Sequence, residues 1–194
     1  MRYLIFDNMN ECTEQAVTNM LPLVSPQRQE QALKFRHVFG QFACLKSFVM
    51  LSELMQWTAQ EITQVEFIYN EHGKPLLPNE WKNRMATPHF SISHCKQAIV
   101  VAVCESPIGV DVESIRNVDA ALIERTMNSQ EQMYIHASCN PAAAFTELWT
   151  RKESFLKYKG TGIVDSLQDT LIHIPDNVKQ QIYKKPNYIL TITS

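Results

Sequence analysis

Apolar and polar positions along the chain alternate with two distinct periods. Residues 3–6 form a short apolar run that stops at Asp7, which predicts a brief strand. Ser25 before Pro26 is an N-cap and first-turn signal, and apolar positions at Leu45, Phe48, Val49, Leu51 and Leu54 predict a helix reaching about Trp57. Val65, Phe67 and Tyr69 alternate with Glu66 and Asn70, the pattern of a half-buried strand entering a turn at Gly73-Lys74-Pro75. Beyond a loop holding Pro78 and Pro88, residues 90–93, 98–104 and 108–113 are rich in Val and Ile and predict three strands at the centre of one sheet. Helices are expected at residues 120–127, after Ser129 with Gln132 as its capping-box partner, and from Asn140-Pro141 to about Lys159, where Gly160 and Gly162 end the pattern. Short β-rich runs at 170–174 and 188–193 finish the chain, so the predicted class is α+β, or mixed α/β.

Composition narrows the function. The chain has 194 residues, 45% hydrophobic and 20% charged, enough for a core without disulfide or metal staples in one domain or two small halves. A net charge of -2 and a pI near 6.3 argue against a surface built to neutralise nucleic-acid phosphates, so an anionic ligand must be held locally. None of the 5 glycines forms a G-x-G-x-x-G or P-loop phosphate cradle. The 5 cysteines show no C-x-x-C spacing, which fits reduced thiols in a cytoplasmic protein. The longest apolar run, residues 98–104, is a strand length and far short of a membrane span.

Three clusters carry candidate chemistry. In Ile108-Gly109-Val110-Asp111-Val112-Glu113 the strand period places Asp111 and Glu113 on one face, with Cβ atoms about 6–7 Å apart and able to converge on one hard cation. Val110 and Val112 would face the core. In Trp149-Thr150-Arg151-Lys152-Glu153-Ser154-Phe155-Leu156-Lys157, Lys152 interrupts an apolar stripe that runs through Phe145, Leu148 and Leu156. Glu153 and Lys157 stand one turn apart beside that stripe. They are either an i,i+4 surface pair or a carboxylate for a cation with an ammonium for its phosphate. In Phe90-Ser91-Ile92-Ser93-His94, neighbouring residues point to opposite faces, so Ser93 and His94 do not read as a nucleophile and its base; a histidine donating to an anion fits better.

Taken in order with Gly73-Lys74-Pro75, these segments resemble the 4'-phosphopantetheinyl transferases of the Sfp type. The resemblance extends weakly to the N-terminal part, where Ser25-Pro26-Gln27-Arg28 through Phe35-Arg36-His37 is similar to the family's basic segment. It departs at Gln31, at Phe42-Ala43-Cys44 and at Cys95. The resemblance implies a pseudo-dimer of two similar α/β halves, residues 1–105 with the coenzyme A-binding segments and residues 106–194 with the metal-binding and catalytic residues. It implies transfer of the 4'-phosphopantetheine arm of coenzyme A to a serine of an apo acyl or peptidyl carrier protein, with release of adenosine 3',5'-bisphosphate. By the same resemblance Asp111, Glu113 and Glu153 hold Mg2+. Glu153, directly or through a water on the cation, takes the serine proton, and Lys157 and His94 contact the diphosphate. Ser93, Lys74 and Pro75 belong to the coenzyme site, Arg28 is the candidate for the 3'-phosphate, and Glu131 is expected just behind the site. Arg125, Met127 and Met133 are candidates for carrier docking. A monomer that binds neither nucleic acid nor membrane is expected. Two other readings share the same residues: a coenzyme A or nucleotide binder without transfer, and a metal-dependent phosphodiesterase or nuclease.

Overall fold

The computed structural model describes residues 1–84, 88–162 and 167–194. In chain order its strands and α-helices are β1 (Arg2–Phe6), α1 (Glu14–Met20), α2 (Pro26–Leu33), α3 (Val38–Met55), α4 (Ala59–Ile62), β2 (Ile68–Tyr69), β3 (Pro75–Leu76), α5 (Asn79–Lys82), β4 (His89–Cys95), β5 (Ala98–Cys104), β6 (Gly109–Ser114), α6 (Ala120–Thr126), α7 (Ser129–Ala137), α8 (Pro141–Lys159), β7 (Gln180–Lys184) and β8 (Tyr188–Thr193). The class is α+β, with two three-stranded antiparallel sheets ordered β1-β5-β4 and β6-β8-β7, and a β2-β3 hairpin. Each sheet follows one plan: a strand, a long helix, then two strands, with the last strand in the middle. The long helix is α3 in the first unit and α8 in the second.

β5 explains how the units meet. Every residue of Ala98–Cys104 is buried, and the strand's two faces serve two cores. Ile99, Val101 and Val103 face α3 and its cluster, which includes Phe42, Leu45, Phe48 and Leu51. Ala98, Val100, Ala102 and Cys104 face Val110, Val112, Leu190 and Ile192 of the second sheet. Small residues on that face let β6 come close. The free edge of β6 lies against β4, where two serine hydroxyls stand in for a neighbouring strand: Val110 N donates to Ser91 Oγ at 3.0 Å and Val112 N to Ser93 Oγ at 3.3 Å. On the other side, α8 packs on β6 so tightly that a Cβ on Gly109 would sit 1.9 Å from the Ser154 carbonyl oxygen and 2.4 Å from Tyr158 N. Gly160, at φ 75°, ends α8 and returns its N–H to Leu156 O at 2.8 Å.

Several expectations are corrected. Residues 108–113 are not in the same sheet as 90–93 and 98–104; β6 pairs with β8, some eighty residues on. Residues 170–172 form a turn and 173–174 no regular structure, and the strand is Gln180–Lys184, an edge with Gln181 and Lys184 exposed. The α7 capping box uses Asn128 and Glu131, one residue before Ser129 and Gln132. The strand expected around Val65 to Tyr69 shrinks to Ile68–Tyr69 because Val65 and Phe67 are buried in a non-strand segment. α3 is apolar enough and, at 18 residues, long enough to cross a membrane, and its apolar side chains are those that fill the first core. All five cysteines are free.

Candidate active site

The two units enclose a cavity of about 850 Å3 whose walls include Arg28, Pro75, Ser93, His94, Asp111, Glu113, Glu153 and Lys157. A second cavity of about 260 Å3 shares Pro75, Glu153 and Lys157 with it and adds Lys74. Residues from α2, the β2-β3 hairpin, β4, β6 and α8 thus meet in one place. All the residues assigned from the sequence to catalysis, cofactor or metal line these two spaces.

Asp111 is the most buried of the acids, 3% exposed, at the floor of the cavity. Its Oδ1 accepts from Lys157 Nζ at 2.6 Å and from Ser93 Oγ at 2.9 Å, and Lys157 Nζ also donates to Ser93 Oγ at 3.1 Å. Lys157 therefore pairs with Asp111 across the sheet-helix contact, which discards the simple i,i+4 pair with Glu153 as its main partner. The other oxygen, Asp111 Oδ2, is buried with no hydrogen-bond partner. A carboxylate oxygen left so is costly unless a cation or donor arrives.

The neighbouring acids feel the same shortage of positive charge. Burial and then the Asp111 charge push the Glu113 carboxyl from 4.5 up to about 7, against an opposing pull from Lys157. The same two causes raise Glu153. Among the described residues, no three His, Cys, Asp or Glu side chains stand close enough to hold an ion as placed. The donor set nevertheless fits a hard divalent cation: three carboxylates lining one cavity, one oxygen unpartnered and two carboxyls destabilised as anions by burial and by Asp111.

His94 stands on the cavity wall with its ring edge-on to Phe39 at 5.8 Å. Burial and the Lys157 charge hold its imidazole below the usual value, so it is neutral at pH 7 and keeps one N–H to donate. Lys74 gives its ammonium to the carbonyl oxygens of Lys157 and Ile108, at the C-terminal end of α8. Desolvation and Lys157 lower its affinity for a proton. The hairpin is fixed there by Asn70, whose Nδ2 donates to Gly160 O at 2.9 Å while its Oδ1 accepts from Lys74 N at 2.8 Å.

At the far end, the Arg28 guanidinium lies between the Phe48 and Phe67 rings, 4.8 and 4.7 Å from their centroids. Its Nη1 donates to Cys44 Sγ at 3.5 Å, and its Nε is buried without a partner. Cys44, Tyr69 and Lys34 also line this end, and the sequence reading had not assigned them. Of these, only Cys44 carried a signal, as part of a departure from the family pattern. Gln31 is engaged with the Tyr69 hydroxyl.

Glu131 does not reach the cavity. It closes the α7 capping box and accepts from Lys152 Nζ at 2.7 Å, and Lys152, fully buried, also donates to Leu167 O at 2.6 Å. The lysine that interrupts the apolar stripe of α8 is thus an internal strut. Met127 is fully buried and so is removed from the docking candidates, while Arg125 is exposed and Met133 is 64% exposed.

Residues 107–192 match the sequence model of the 4'-phosphopantetheinyl transferase superfamily. The chain is 30% identical over 152 residues to the 4'-phosphopantetheinyl transferase psf-1 of Bacillus pumilus, covering 76% of this chain and 62% of that protein. It is 26% identical over 167 residues to the 4'-phosphopantetheinyl transferase gsp of Aneurinibacillus migulanus, covering 84% and 67%. Identity to the 4'-phosphopantetheinyl transferase Sfp of Bacillus subtilis is 26% over 146 residues, covering 74% and 63%. The chain therefore spans roughly two thirds of the length of these relatives, between 62% and 67%.

Proposed function

From the membership of residues 107–192 in the 4'-phosphopantetheinyl transferase superfamily, we propose that this protein transfers the 4'-phosphopantetheine group of coenzyme A to a serine hydroxyl of an apo acyl or peptidyl carrier protein. The observation that carries the reading is the floor of the cavity. An unpartnered Asp111 oxygen and two destabilised carboxyls share it with Lys157 and His94, in a space large enough for a nucleotide. In this reading residues 1–105 and 106–194 are two similar halves, which the repeated strand-helix-strand-strand plan supports. The protein acts in the cytoplasm as a monomer.

Asp111, Glu113 and Glu153 would hold a Mg2+ ion, whose chemistry when bound is neutralisation of diphosphate charge. Arg28 and Pro75 bind the nucleotide end of coenzyme A, with the Arg28 guanidinium directed at the 3'-phosphate. Lys74 fixes the hairpin that lies along it. Ser93 positions Lys157 and Asp111 through its hydroxyl.

The carrier serine oxygen attacks the phosphorus that bears the pantetheine arm. Its new O–P bond forms as the bridging P–O bond of the diphosphate breaks, and adenosine 3',5'-bisphosphate leaves with the bridging oxygen. Glu153 takes the serine proton; a carboxyl raised above its ordinary range is a better base near neutrality. Lys157 neutralises the charge on the leaving phosphate, and neutral His94 donates its N–H to a phosphate oxygen.

Intact-protein mass spectrometry of an apo carrier incubated with this protein, coenzyme A and magnesium tests the reading. One phosphopantetheine gained per carrier, and lost with EDTA, is the expected result. Glu153→Gln should lower turnover by about 10²–10⁴-fold while the protein stays folded. Transfer at the wild-type rate in that variant removes Glu153 as base, and no transfer to any carrier class despite bound coenzyme A leaves a binding module.

A further inference from the structure

The β2-β3 hairpin belongs to the first unit, yet two of its side chains end on the backbone of the second. Asn70 shapes the turn between its strands: Oδ1 accepts from His72 N at 3.0 Å and Lys74 N at 2.8 Å, and its own backbone N donates to Lys74 O at 3.1 Å. Its Nδ2 is left to reach 90 residues along the chain and donate to Gly160 O at 2.9 Å. Lys74, at the end of the turn, gives its ammonium to Lys157 O and, at 3.5 Å, to Ile108 O. Lys157 O and Gly160 O lie at the end of α8, where the last carbonyls of a helix find no amide within it and need an outside donor.

The two acceptors of the ammonium stand on either side of the Gly109 contact. Ile108 precedes Gly109, and a Cβ on that glycine would fall 3.0 Å from the Lys157 carbonyl carbon. One ammonium therefore bridges the backbone entering β6 and the backbone of α8. From there β6 leads to Asp111, and Lys157 sends its own ammonium to Asp111 Oδ1 at 2.6 Å. Lys74 is turned away from the large cavity: Gly73 and Pro75 line it, while Lys74 between them lines the smaller one instead. Two of its three N–H groups are already taken by carbonyls.

We propose that Lys74 is a positioning residue anchored by Asn70: together they latch the hairpin of the first unit to the junction of α8 and β6 and hold Lys157 against Asp111, without Lys74 bonding the phosphates of coenzyme A. This assignment rests on the transferase reading, whose Lys157 and Asp111 it serves. It makes turnover depend on the hairpin more than coenzyme A affinity depends on the Lys74 ammonium.

Three variants test it, with kcat measured beside isothermal titration of coenzyme A in magnesium. Lys74→Met keeps the stem and removes the donors, Lys74→Arg restores donors, and Asn70→Asp keeps both turn acceptors but sets an oxygen against Gly160 O. Lys74→Met should lower kcat about 10–100-fold, as a displaced reacting group does, while coenzyme A affinity stays within about twofold. Lys74→Arg should recover most of that kcat, and Asn70→Asp should lose severalfold at unchanged affinity. A lysine that bonds a coenzyme phosphate gives the opposite split, affinity about tenfold weaker at nearly constant kcat, and that result overturns the proposal. So does wild-type kcat in Lys74→Met. The latch is also read without turnover, by amide hydrogen exchange at Tyr158, Lys159 and Gly160, which should quicken in Lys74→Met and Asn70→Asp. Unchanged exchange in both variants overturns the latch, whereas faster exchange with no transfer by wild-type protein keeps the latch and removes the transferase reading.

Discussion

In the first unit, α3 buries Phe42, Leu45, Phe48 and Leu51 against β5, and its buried hydroxyls turn back on their own helix: Ser47 Oγ donates to Cys44 O and Ser52 Oγ to Val49 O. In the second unit, α8 buries Thr150, Lys152 and Ser154 completely, and each reaches another element: Thr191, Glu131 and Thr193 respectively. The two sheets share strand order and connectivity, yet one helix is seated mainly by non-directional apolar burial and the other also by directed bonds. The difference follows the chemistry. α8 carries Glu153 and Lys157, the groups proposed for catalysis, and a helix that presents such groups must be fixed in rotation about its axis as well as in place.

The comparison is tested most severely at Lys152. Lys152→Met leaves the Glu131 charge enclosed and the Leu167 carbonyl without its donor, and should cost about 3–5 kcal/mol in urea unfolding. The double variant Lys152→Met with Glu131→Gln should recover much of that loss, since glutamine also serves the capping box and leaves no buried charge. Leu45→Met, the corresponding disturbance inside α3, should cost less than about 1.5 kcal/mol, because a volume-conserving change leaves nothing unpaired. Equal costs in the two helices would refute the distinction.

A glycine in each unit gives the next contrast. Gly109→Ala drives a methyl into the Ser154 carbonyl and Tyr158 N, both backbone, so α8 must lift from β6. About 1–3 kcal/mol of stability should be lost. Transfer should fall more than stability, because Asp111 and Lys157 separate. In Gly40→Ala the new methyl meets Phe35, 45% exposed, whose ring can swing away but whose Cβ, 2.9 Å off, moves only with its backbone. The helix propensity gain of up to about 1 kcal/mol offsets part of that contact, so the loss of stability should be smaller than at Gly109. A large loss at Gly40 would show the first unit to be as rigidly seated as the second.

The same division governs what could be read from the chain alone. Period-two alternation placed Asp111 and Glu113 together and Val110 and Val112 in the core, and the 98–104 run predicted a strand at the centre of a sheet; these are local patterns. The partner of β6 was not local, since nothing in residues 108–113 points to 188–193 as opposed to 98–104. Gln180–Lys184 escaped notice because an edge strand carries polar residues on its exposed face, and 170–174 looked more β-like by composition. The site followed the same rule. Residue types and spacing named Glu153 and Lys157, but only the packing of α8 on β6 shows Lys157 choosing Asp111, Glu131 choosing Lys152, and Arg28 enclosed by two phenyl rings.

Acid titration separates the units next. Burial and Asp111 lift Glu113 from 4.5 to about 7, so the folded protein holds the neutral acid more tightly than the unfolded chain does. The resulting stability is complete below pH 4.5 and is lost as pH rises to about 7. In EDTA the unfolding free energy should therefore fall across this interval, by less than the about 1.4 kcal/mol per pH unit of one fully coupled proton, because Glu113 remains partly solvated. Glu113→Gln should flatten the profile, and so should magnesium if the acids hold it. A profile unchanged by Glu113→Gln would show that this carboxyl does not carry the strain.

The finest contrast lies between two buried hydroxyls. Thr150 Oγ1 donates to Glu147 O at 3.0 Å and lies 2.8 Å from Thr191 Oγ1 on β8, so Thr150→Val keeps the volume and leaves the Thr191 hydroxyl short of a partner in a fully buried place. About 1 kcal/mol should be lost. Ser52→Ala removes a hydroxyl that donates to Val49 O, a carbonyl of its own helix, and should cost no more than a few tenths of a kcal/mol, because alanine is the better helix former. The decisive readout is transfer measured well below the melting temperature. If directed bonds set the rotation of α8, Thr150→Val lowers kcat without changing coenzyme A affinity, since the proposed binding mode has the other unit hold the nucleotide end, and Ser52→Ala changes neither. Equal kcat in both variants would mean that the Gly109 contact alone seats the helix.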